Sequence, residues 1–324
     1  MAVYTQLSAE VLADLVAEYD VGELVSAKGI AEGVSNSNWL VETTGSETNG
    51  KRFILTMYER RIDIAELPFF LGLLDHLAAN GCPVPRTIHD RSGASSRMLH
   101  GKAVALIEFL PGVSVDHPTP AQARSVGRVL AEMHETAQDF PGTRANDLDP
   151  HASARVLADC GQDALAKIDA ALPDVIPVAE KIADGWPQGL PQSVIHSDLF
   201  PDNVLMLGDT VSALIDFYFA CNDAMAYDLA VTHAAWSFSG DGHGYRAEVG
   251  QALVEGYESV RALSPEEREA LPLLAQGAAL RFISSRAQDW IDTPADALVT
   301  KKDPMDFVRR LEFYRTNGTE VFAA

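Results

Sequence analysis

The chain has 324 residues, of which 47% are hydrophobic, so it is long enough for two domains or one large one. Its formal net charge of −21 argues against nucleic-acid and membrane partners, because both need clustered Lys and Arg. No run of 18 apolar residues, no signal-peptide pattern and no paired spacing of the three cysteines is present, so we expect a cytoplasmic protein.

The first third of the chain predicts a strand-rich region. Residues 8–19 predict a helix that begins at the cap residue Ser8. A second helix is predicted over 64–81, with Gly81 at its end. Short apolar segments separated by Gly, Ser and Asn clusters predict strands. These segments are ELVSAKGI (23–30), NWLVET (38–43), RFILTMYE (52–59) and KAVALIEFLPG (102–112).

Helical patterns dominate the remaining two thirds. They extend over 119–137, 153–186, 223–238, 244–261, 264–292 and 303–317, and a strand pair at 194–217 interrupts them. Strands followed by helices indicate an α+β protein of two lobes. We place the N-lobe at 1–111 and the C-lobe at 112–324.

An unusual set of polar residues surrounds the strand pair. The segment VIHSDLFPDNVLM (194–206) contains Asp198 and Asn203, and Asp216 follows in ALIDF. Because a hairpin places the start of one strand beside the end of the other, we expect Asn203 and Asp216 to lie close together. Amide and carboxylate oxygens suit Mg²⁺, and Asp198 could accept the proton of an attacking hydroxyl. Each acid alone would be an ordinary turn residue, but the combination matches the base and metal ligands of protein kinases.

These motifs resemble a known family. HSDLFPDN and LIDF resemble the catalytic and metal loops of kinase-like phosphotransferases that act on aminoglycosides, choline, methylthioribose or homoserine. The resemblance covers the whole chain, and it is closest to the branch that phosphorylates homoserine. It implies a protein-kinase-like fold with a small strand-rich N-lobe and a larger helical C-lobe. The further segments that carry it are LTMYE, ELPFFLGLLDHLAANGCPVPRTI, FLPG, GRVLAEMHE and RFISSRAQDW.

The resemblance also implies roles for single residues. Asp198 would be the base, and Asn203 and Asp216 would hold Mg²⁺. His196 would brace the catalytic loop by hydrogen bonds, and Asp228 would be a structural acid near it.

For the nucleotide, the resemblance implies a hinge at ALIEFLPG, with the backbone groups of Glu108 and Leu110 facing adenine. Residues 27–39 would form the loop that covers the phosphates, although this segment alone could be a polar hairpin turn. The candidates there for contact with ATP are Gly29, Gly33, Ser35 and Asn36.

The chain departs from the kinase pattern in the third predicted strand. Most kinase-like phosphotransferases have a Lys there that binds the α- and β-phosphates. Thr56 stands at that place in this chain. Arg60 or Arg61 could reach the phosphates with Glu66 nearby as support, or both could be solvated surface charges.

The late helix offers candidates for an amino-acid substrate. Arg281, Arg286 and Asp289 are spaced so that all could share roughly one face. They are either surface ion pairs or, for Arg281 or Arg286, a bidentate site for a carboxylate. Asp198 would hold the substrate hydroxyl, and Asp202 or Asp223 would meet the substrate ammonium.

The expected activity is therefore ATP- and Mg²⁺-dependent phosphorylation of L-homoserine to O-phospho-L-homoserine, for threonine biosynthesis, by a monomer or homodimer. A kinase of the same fold that acts on choline, an aminoglycoside, methylthioribose or hydroxylysine remains open. Choline would require an aromatic cage. A nucleotide-binding scaffold without activity is the other alternative, and a metal-dependent hydrolase is disfavoured because no His cluster accompanies the acids.

Overall fold

The structure, a computed structural model, describes residues 5–30, 36–47, 49–59, 63–294 and 301–323. The chain divides into two compact units. Unit 1 comprises Met1–Gly112, Phe140–Gly142 and Ser212–Tyr218, and unit 2 comprises Val113–Asp139, Thr143–Val211 and Phe219–Ala324.

Unit 1 begins with the predicted helix α1 (Ala9–Ala17). Ser8 is its N-cap, and its Oγ accepts a hydrogen bond from the N–H of Val11 at 3.3 Å. The second predicted helix starts as a 3₁₀ turn (Ile64–Glu66) and continues as α2 (Leu67–Ala79). Gly81, with φ of +85°, follows it in the left-handed conformation that glycine adopts without strain.

An antiparallel sheet forms most of the rest of unit 1. Its strands are β1 (Leu24–Ile30), β2 (Asn36–Thr43), β3 (Arg52–Tyr58), β4 (Thr87–Ile88), β5 (Arg97–Leu99) and β6 (Lys102–Glu108). Their order in the sheet is β1-β2-β3-β6-β4, and β5 also pairs with β6. The prediction of β1, β2, β3 and β6 is confirmed, although β6 ends before Pro111-Gly112. The strands β4 and β5 were not predicted because two or three residues are too few to show alternation.

The two faces of this sheet bury different side chains, as the two-residue period of a strand requires. On one face Phe53, Leu55 and Met57 of β3 join a hydrophobic cluster with residues of α1. On the other face Tyr58 packs in a cluster with Leu67 of α2. Residues 56 and 58 of β3 therefore point toward the α2 side of the sheet.

Unit 2 is mainly helical, as predicted. Capping boxes start two of its helices: Thr119 with Gln122, and Ser264 with Glu267. The α-helices are α3 (Pro120–Ala137), α4 (Pro150–Cys160), α5 (Gln162–Ile168), α6 (Ile176–Asp184), α7 (Met225–Trp236), α8 (Ala247–Glu258), α9 (Pro265–Asp292) and α10 (Met305–Val321).

Two small pairs of strands interrupt the helices. β7 (Gln192–Ile195) pairs antiparallel with β10 (Cys221–Ala224), so the helix predicted from residue 223 begins only at Met225. β8 (Val204–Leu207) and β9 (Thr210–Leu214) form the predicted strand pair. The return strand was predicted to continue to Phe217 but ends at Leu214, so Asp216 lies beyond it.

None of the helices in the described part of the chain is both long enough and apolar enough to cross a membrane.

Candidate active site

The loop that carries Asp198 follows β7 and has a constrained backbone. Ser197 adopts φ of +60°, which is unfavourable for a residue with a Cβ. The N–H groups of His196 and Ser197 each donate to the Asp228 carboxylate at 2.7 Å. Ser197 Oγ also donates to the carbonyl oxygen of Phe219 at 2.8 Å. These bonds hold the loop in a conformation that its sequence alone does not favour.

Asp228 organises this loop from the first turn of α7, where it is fully buried. His134 Nε2 lies 3.0 Å from the Asp228 carboxylate, and His134 Nδ1 lies 2.9 Å from Tyr257 Oη. Because a carboxylate only accepts, Nε2 carries the proton and Nδ1 accepts from Tyr257. Burial by itself raises the pKa of Asp228, but the hydrogen bonds from the His134 ring and from the N–H of His196 outweigh it and lower the pKa. Asp228 is therefore an ionised structural acid.

Asp198 is held from its backbone and from its side chain. Its N–H donates to His196 Nδ1 at 3.3 Å. Asn203, at the end of a 3₁₀ turn (Pro201–Asn203), donates through Nδ2 to Asp198 O at 2.8 Å and to Asp198 Oδ2 at 3.3 Å. This arrangement leaves the amide oxygen of Asn203 as the atom that can bind a hard cation.

Trp236 supports the same loop from the last turn of α7. It is fully buried, and its indole Nε1 donates to the carbonyl oxygen of Leu199 at 2.9 Å. The sequence does not predict this hydrogen bond, because a tryptophan in an apolar helix is ordinarily a core residue.

Asp216 belongs to unit 1, and its side chain is exposed. Its backbone also lies in the left-handed region, with φ of +66°. Burial is the main reason that the pKa values of Tyr58 and Tyr218 are raised, and the charge of Asp216 adds to both shifts, so the two rings lie near this carboxylate. Asn203 is a residue of unit 2, and its predicted closeness to Asp216 stays a prediction.

The place expected for a phosphate-binding Lys is buried and uncharged. Thr56 is 4% exposed, and its Oγ1 donates to Asn38 Oδ1 at 2.9 Å across the β2–β3 pair. The alternative candidates Arg60 and Arg61 lie outside the described residues. Glu66 is the residue just before α2 and is partly buried.

The nucleotide candidates divide between described and undescribed residues. Gly29 lies in β1 opposite Trp39, and Asn36 is the first residue of β2, so the predicted loop 27–39 is strand at both ends. Asn36 Oδ1 is buried and has no hydrogen-bond partner among the described residues. Gly33 and Ser35 lie outside the described part of the chain.

The predicted hinge lies at the end of β6. The N–H of Glu108 donates to the carbonyl oxygen of Arg86 at 3.0 Å. Any contact of Glu108 with adenine would therefore use its carbonyl oxygen. Leu110 follows β6 and is partly buried.

Arg281 lies within α9 beside Asp198 and is 3% exposed. Its Nη2 is 3.7 Å from Asp198 Oδ1, and its guanidinium lies over the rings of Phe219 and Phe282, at 5.3 and 4.9 Å from their centroids. Its Nη1 is buried and donates to no described residue. A buried donor without an acceptor lowers the stability of a protein by about 1–3 kcal/mol. Arg281 Nη1 is such an unused donor, and it lies next to the candidate base.

Arg286 has other partners. Its Nη1 donates to Asp303 O at 2.8 Å and to Asp306 Oδ2 at 2.9 Å, and its guanidinium lies 4.6 Å from the centroid of Phe307. Residues five apart on a helix are about 140° apart around its axis. Arg281 and Arg286 therefore do not share the face that was predicted for them. Arg281 forms the ion pair with Asp198, whereas the charge of Asp198 acts on Arg286 from farther away.

Two acids were predicted to meet the substrate ammonium. Asp202 has an exposed side chain, and its carbonyl oxygen accepts from Ser114 Oγ at 3.3 Å. Asp223 is partly buried, and its carboxylate accepts from Asn146 Nδ2 at 2.6 Å. Burial raises the pKa of Asp223 in spite of that hydrogen bond.

In the described ranges, no group of three or more His, Cys, Asp or Glu side chains could hold a metal ion. The two predicted metal ligands, Asn203 and Asp216, offer one amide oxygen and one carboxylate, and their sharing of a cation stays a prediction. This donor chemistry fits Mg²⁺.

The chain is similar in sequence to known proteins over most of its length. Residues 26–263 match the model of the phosphotransferase enzyme family. A homoserine kinase of Granulibacter bethesdensis is 47% identical over 315 residues, which cover 97% of this chain and 97% of that protein. A homoserine kinase of Caulobacter sp. is 47% identical over 325 residues, which cover 100% of this chain and 99% of that protein.

Solved structures support the fold. The amicoumacin kinase in complex with AMP-PNP, Ca²⁺ and Ami has a TM-score of 0.68 to this chain, with 13% identity, over 97% of this chain and 94% of that one. At this identity the likeness concerns the fold alone. The predicted protein-kinase-like fold is confirmed.

Proposed function

Since the chain belongs to the phosphotransferase enzyme family, we propose that it is a homoserine kinase, which transfers the γ-phosphoryl group of ATP to the side-chain hydroxyl of L-homoserine. The product is O-phospho-L-homoserine, a precursor for threonine biosynthesis, and the expected location is the cytoplasm. The observation that carries this proposal is the 47% identity to homoserine kinases over almost the full length of both chains.

In this proposal Asp198 is the catalytic base. It orients the substrate hydroxyl and accepts its proton as the oxygen attacks phosphorus. The hydrogen bond from Asn203 Nδ2 to the Asp198 side chain, at 3.3 Å, supports this role because it limits the rotation of the carboxylate. Most of the rate acceleration would then come from positioning and electrostatics.

The same proposal assigns the metal to Asn203 and Asp216. A bound Mg²⁺ would neutralise negative charge on the phosphoryl oxygens of ATP. The amicoumacin kinase of the same fold was solved with a nucleotide analogue and a divalent cation, Ca²⁺, which supports the use of a nucleotide with a divalent metal. The choice of Mg²⁺ rests on the hard oxygen donors of the two residues.

Of the two arginines predicted to bind the substrate, we retain Arg281. Its Nη1 is an unused donor, and its Nη2 is 3.7 Å from Asp198. Arg286 already donates to Asp303 and Asp306. A guanidinium binds a carboxylate through two parallel hydrogen bonds, so Arg281 is the residue that we assign to the carboxylate of homoserine.

A direct comparison of acceptors tests the proposed function. With MgATP, L-homoserine should have a kcat/KM at least about tenfold higher than L-serine, which is one methylene shorter, and far higher than choline. Coupled measurement of ADP formation provides these rates. Equal or faster phosphorylation of choline or an aminoglycoside would favour the alternative kinases. Binding of MgATP without transfer to any acceptor would favour the scaffold.

The role of Arg281 is tested by substitution with Lys, which keeps the charge but loses the bidentate geometry. We expect the R281K variant to have a KM for L-homoserine about tenfold higher or more, because charge-assisted hydrogen bonds to the carboxylate are lost. Phosphorylation of 3-amino-1-propanol, which lacks the carboxylate, should change much less. R286K is the matched control, and it should keep the wild-type preference between the two acceptors.

An equal loss for both acceptors in R281K would contradict the assignment. It would mean that Arg281 acts through Asp198 and not through the substrate carboxylate.

A further inference from the structure

A connected set of uncharged side chains occupies the place where a phosphate-binding Lys was expected. Thr56 Oγ1 donates to Asn38 Oδ1 at 2.9 Å, and the Thr56 side chain lies close enough to the Tyr218 hydroxyl to act on its pKa. The hydroxyls of Tyr218 and Tyr58 are 3.0 Å apart. We call these four residues the hydroxyl chain, and all belong to unit 1.

The hydroxyl chain is built on rigid elements. Thr56 and Tyr58 lie two residues apart in β3 and point to the same face of the sheet, and Asn38 lies opposite Thr56 in β2. The ring of Tyr218 packs edge-on against Tyr58, with centroids 5.4 Å apart, and against Phe70 of α2, at 5.8 Å. Tyr218 is therefore fixed by two ring contacts and by the hydroxyl chain.

This anchoring bears directly on Asp216, which precedes Tyr218 by two residues. Before Asp216, the N–H of Leu214 donates to Pro83 O at 2.8 Å. After it, Phe217 is 2% exposed. Asp216 itself is exposed and has φ of +66°, a conformation that persists in a residue with a Cβ only when its surroundings enforce it.

We propose that Tyr58 and Tyr218 are positioning residues, which hold Asp216 through their paired hydroxyls in the conformation that binds the divalent cation of the nucleotide. The inference rests on the proposed function insofar as that function makes Asp216 a metal ligand. The buried side chains around Thr56 supply no positive charge where a Lys was expected. They instead hold the loop that carries Asp216 against the sheet.

The test removes one hydroxyl at a time, with Y58F and Y218F. In each variant the Mg²⁺ concentration for half-maximal phosphoryl transfer at saturating ATP should rise about five- to tenfold, which corresponds to the loss of one hydrogen bond. T56V, which removes the next hydroxyl of the chain, should shift it in the same direction. A substitution that only weakened the core would lower stability without this change in metal requirement.

A second readout does not depend on activity. MgATP should raise the Tm of Y58F and Y218F by less than it raises that of the wild type. ATP in the presence of EDTA should shift the Tm of the variants and of the wild type equally, because no metal is then bound. This measurement needs no acceptor, so it holds whatever substrate the enzyme uses.

Y19F is the matched control. Tyr19 is a buried tyrosine of the same unit, and its hydroxyl has no hydrogen-bond partner among the described residues. Its substitution is the same chemical change without the loss of a hydrogen bond. Y19F should keep the wild-type Mg²⁺ requirement and the wild-type stabilisation by MgATP.

The outcomes separate the two proposals. If D216A keeps the wild-type Mg²⁺ requirement, this result would contradict the proposed role of Asp216 as a metal ligand. A raised requirement in D216A together with Y58F and Y218F variants that match Y19F overturns the role of the hydroxyl pair. Slower turnover of Y58F and Y218F at an unchanged Mg²⁺ requirement overturns it as well.

Discussion

Replacement of Asp198 by asparagine should lower kcat for L-homoserine at least ~10²-fold, the scale on which a general base contributes. Asparagine preserves the size of the side chain but cannot accept the proton of the hydroxyl. The neighbouring contacts with Asn203 and Arg281 show that the carboxylate lies in a defined polar setting. Single-turnover measurement with saturating MgATP separates this loss from any change in nucleotide binding.

The matched control for this variant is D209N. Asp209 is an exposed acid in the turn between β8 and β9, and it has no assigned role in the chemistry. D209N should retain the wild-type rate and Tm. A D198N enzyme that turns over as fast as D209N would rule out Asp198 as the base.

The proposed metal ligands should show the second large effect. We expect D216A to lose at least ~10²-fold in kcat/KM at millimolar Mg²⁺, because the variant lacks the carboxylate that we propose holds the cation on the phosphates. Part of the loss should be recovered at higher Mg²⁺, since the remaining ligands still bind the cation weakly. N203A should show the same dependence on Mg²⁺, with a further loss at every Mg²⁺ concentration because the hydrogen bonds of its amide to Asp198 are also removed. The measurement is the initial rate as a function of free Mg²⁺ at fixed ATP.

Removal of the metal from the wild-type enzyme provides the reference for both variants. Excess EDTA should abolish phosphoryl transfer, and added Mg²⁺ should restore it fully. A wild-type enzyme that keeps its rate in EDTA would contradict the metal assignment of both Asn203 and Asp216.

Much of the fold followed from local patterns. Ser8, Thr119 and Ser264 cap the helices that begin after them, as side-chain oxygens at such positions do. The long strands of unit 1 were recognisable from short apolar segments between turn residues. The end of β9 was predicted three residues too late, because Ile215 and Phe217 continue the apolar pattern while the backbone turns into the left-handed region at Asp216.

The candidate base and metal ligands were also predicted from spacing and from the family resemblance, and their roles stay predictions. Their supporting contacts were not, with the exception of Asp228 and His196, which the family resemblance implied. Trp236 holds the catalytic loop by a hydrogen bond to Leu199, although its sequence context is that of a core residue. Arg281 was one of two equivalent candidates until the structure gave Arg286 its acidic partner, Asp306.

The order of helices and strands, and the polar side chains of the candidate catalytic and metal loops, could be predicted without the structure, because caps, periodicity and loop motifs act over a few neighbouring residues. Which polar groups meet depends on the folded chain. His134 and Asp228 are 94 positions apart, and Tyr58 and Tyr218 are 160 apart, yet each pair is within hydrogen-bond distance. Such pairs form because a buried polar group must find a partner wherever the folded chain supplies one, and no local pattern records which partner that is.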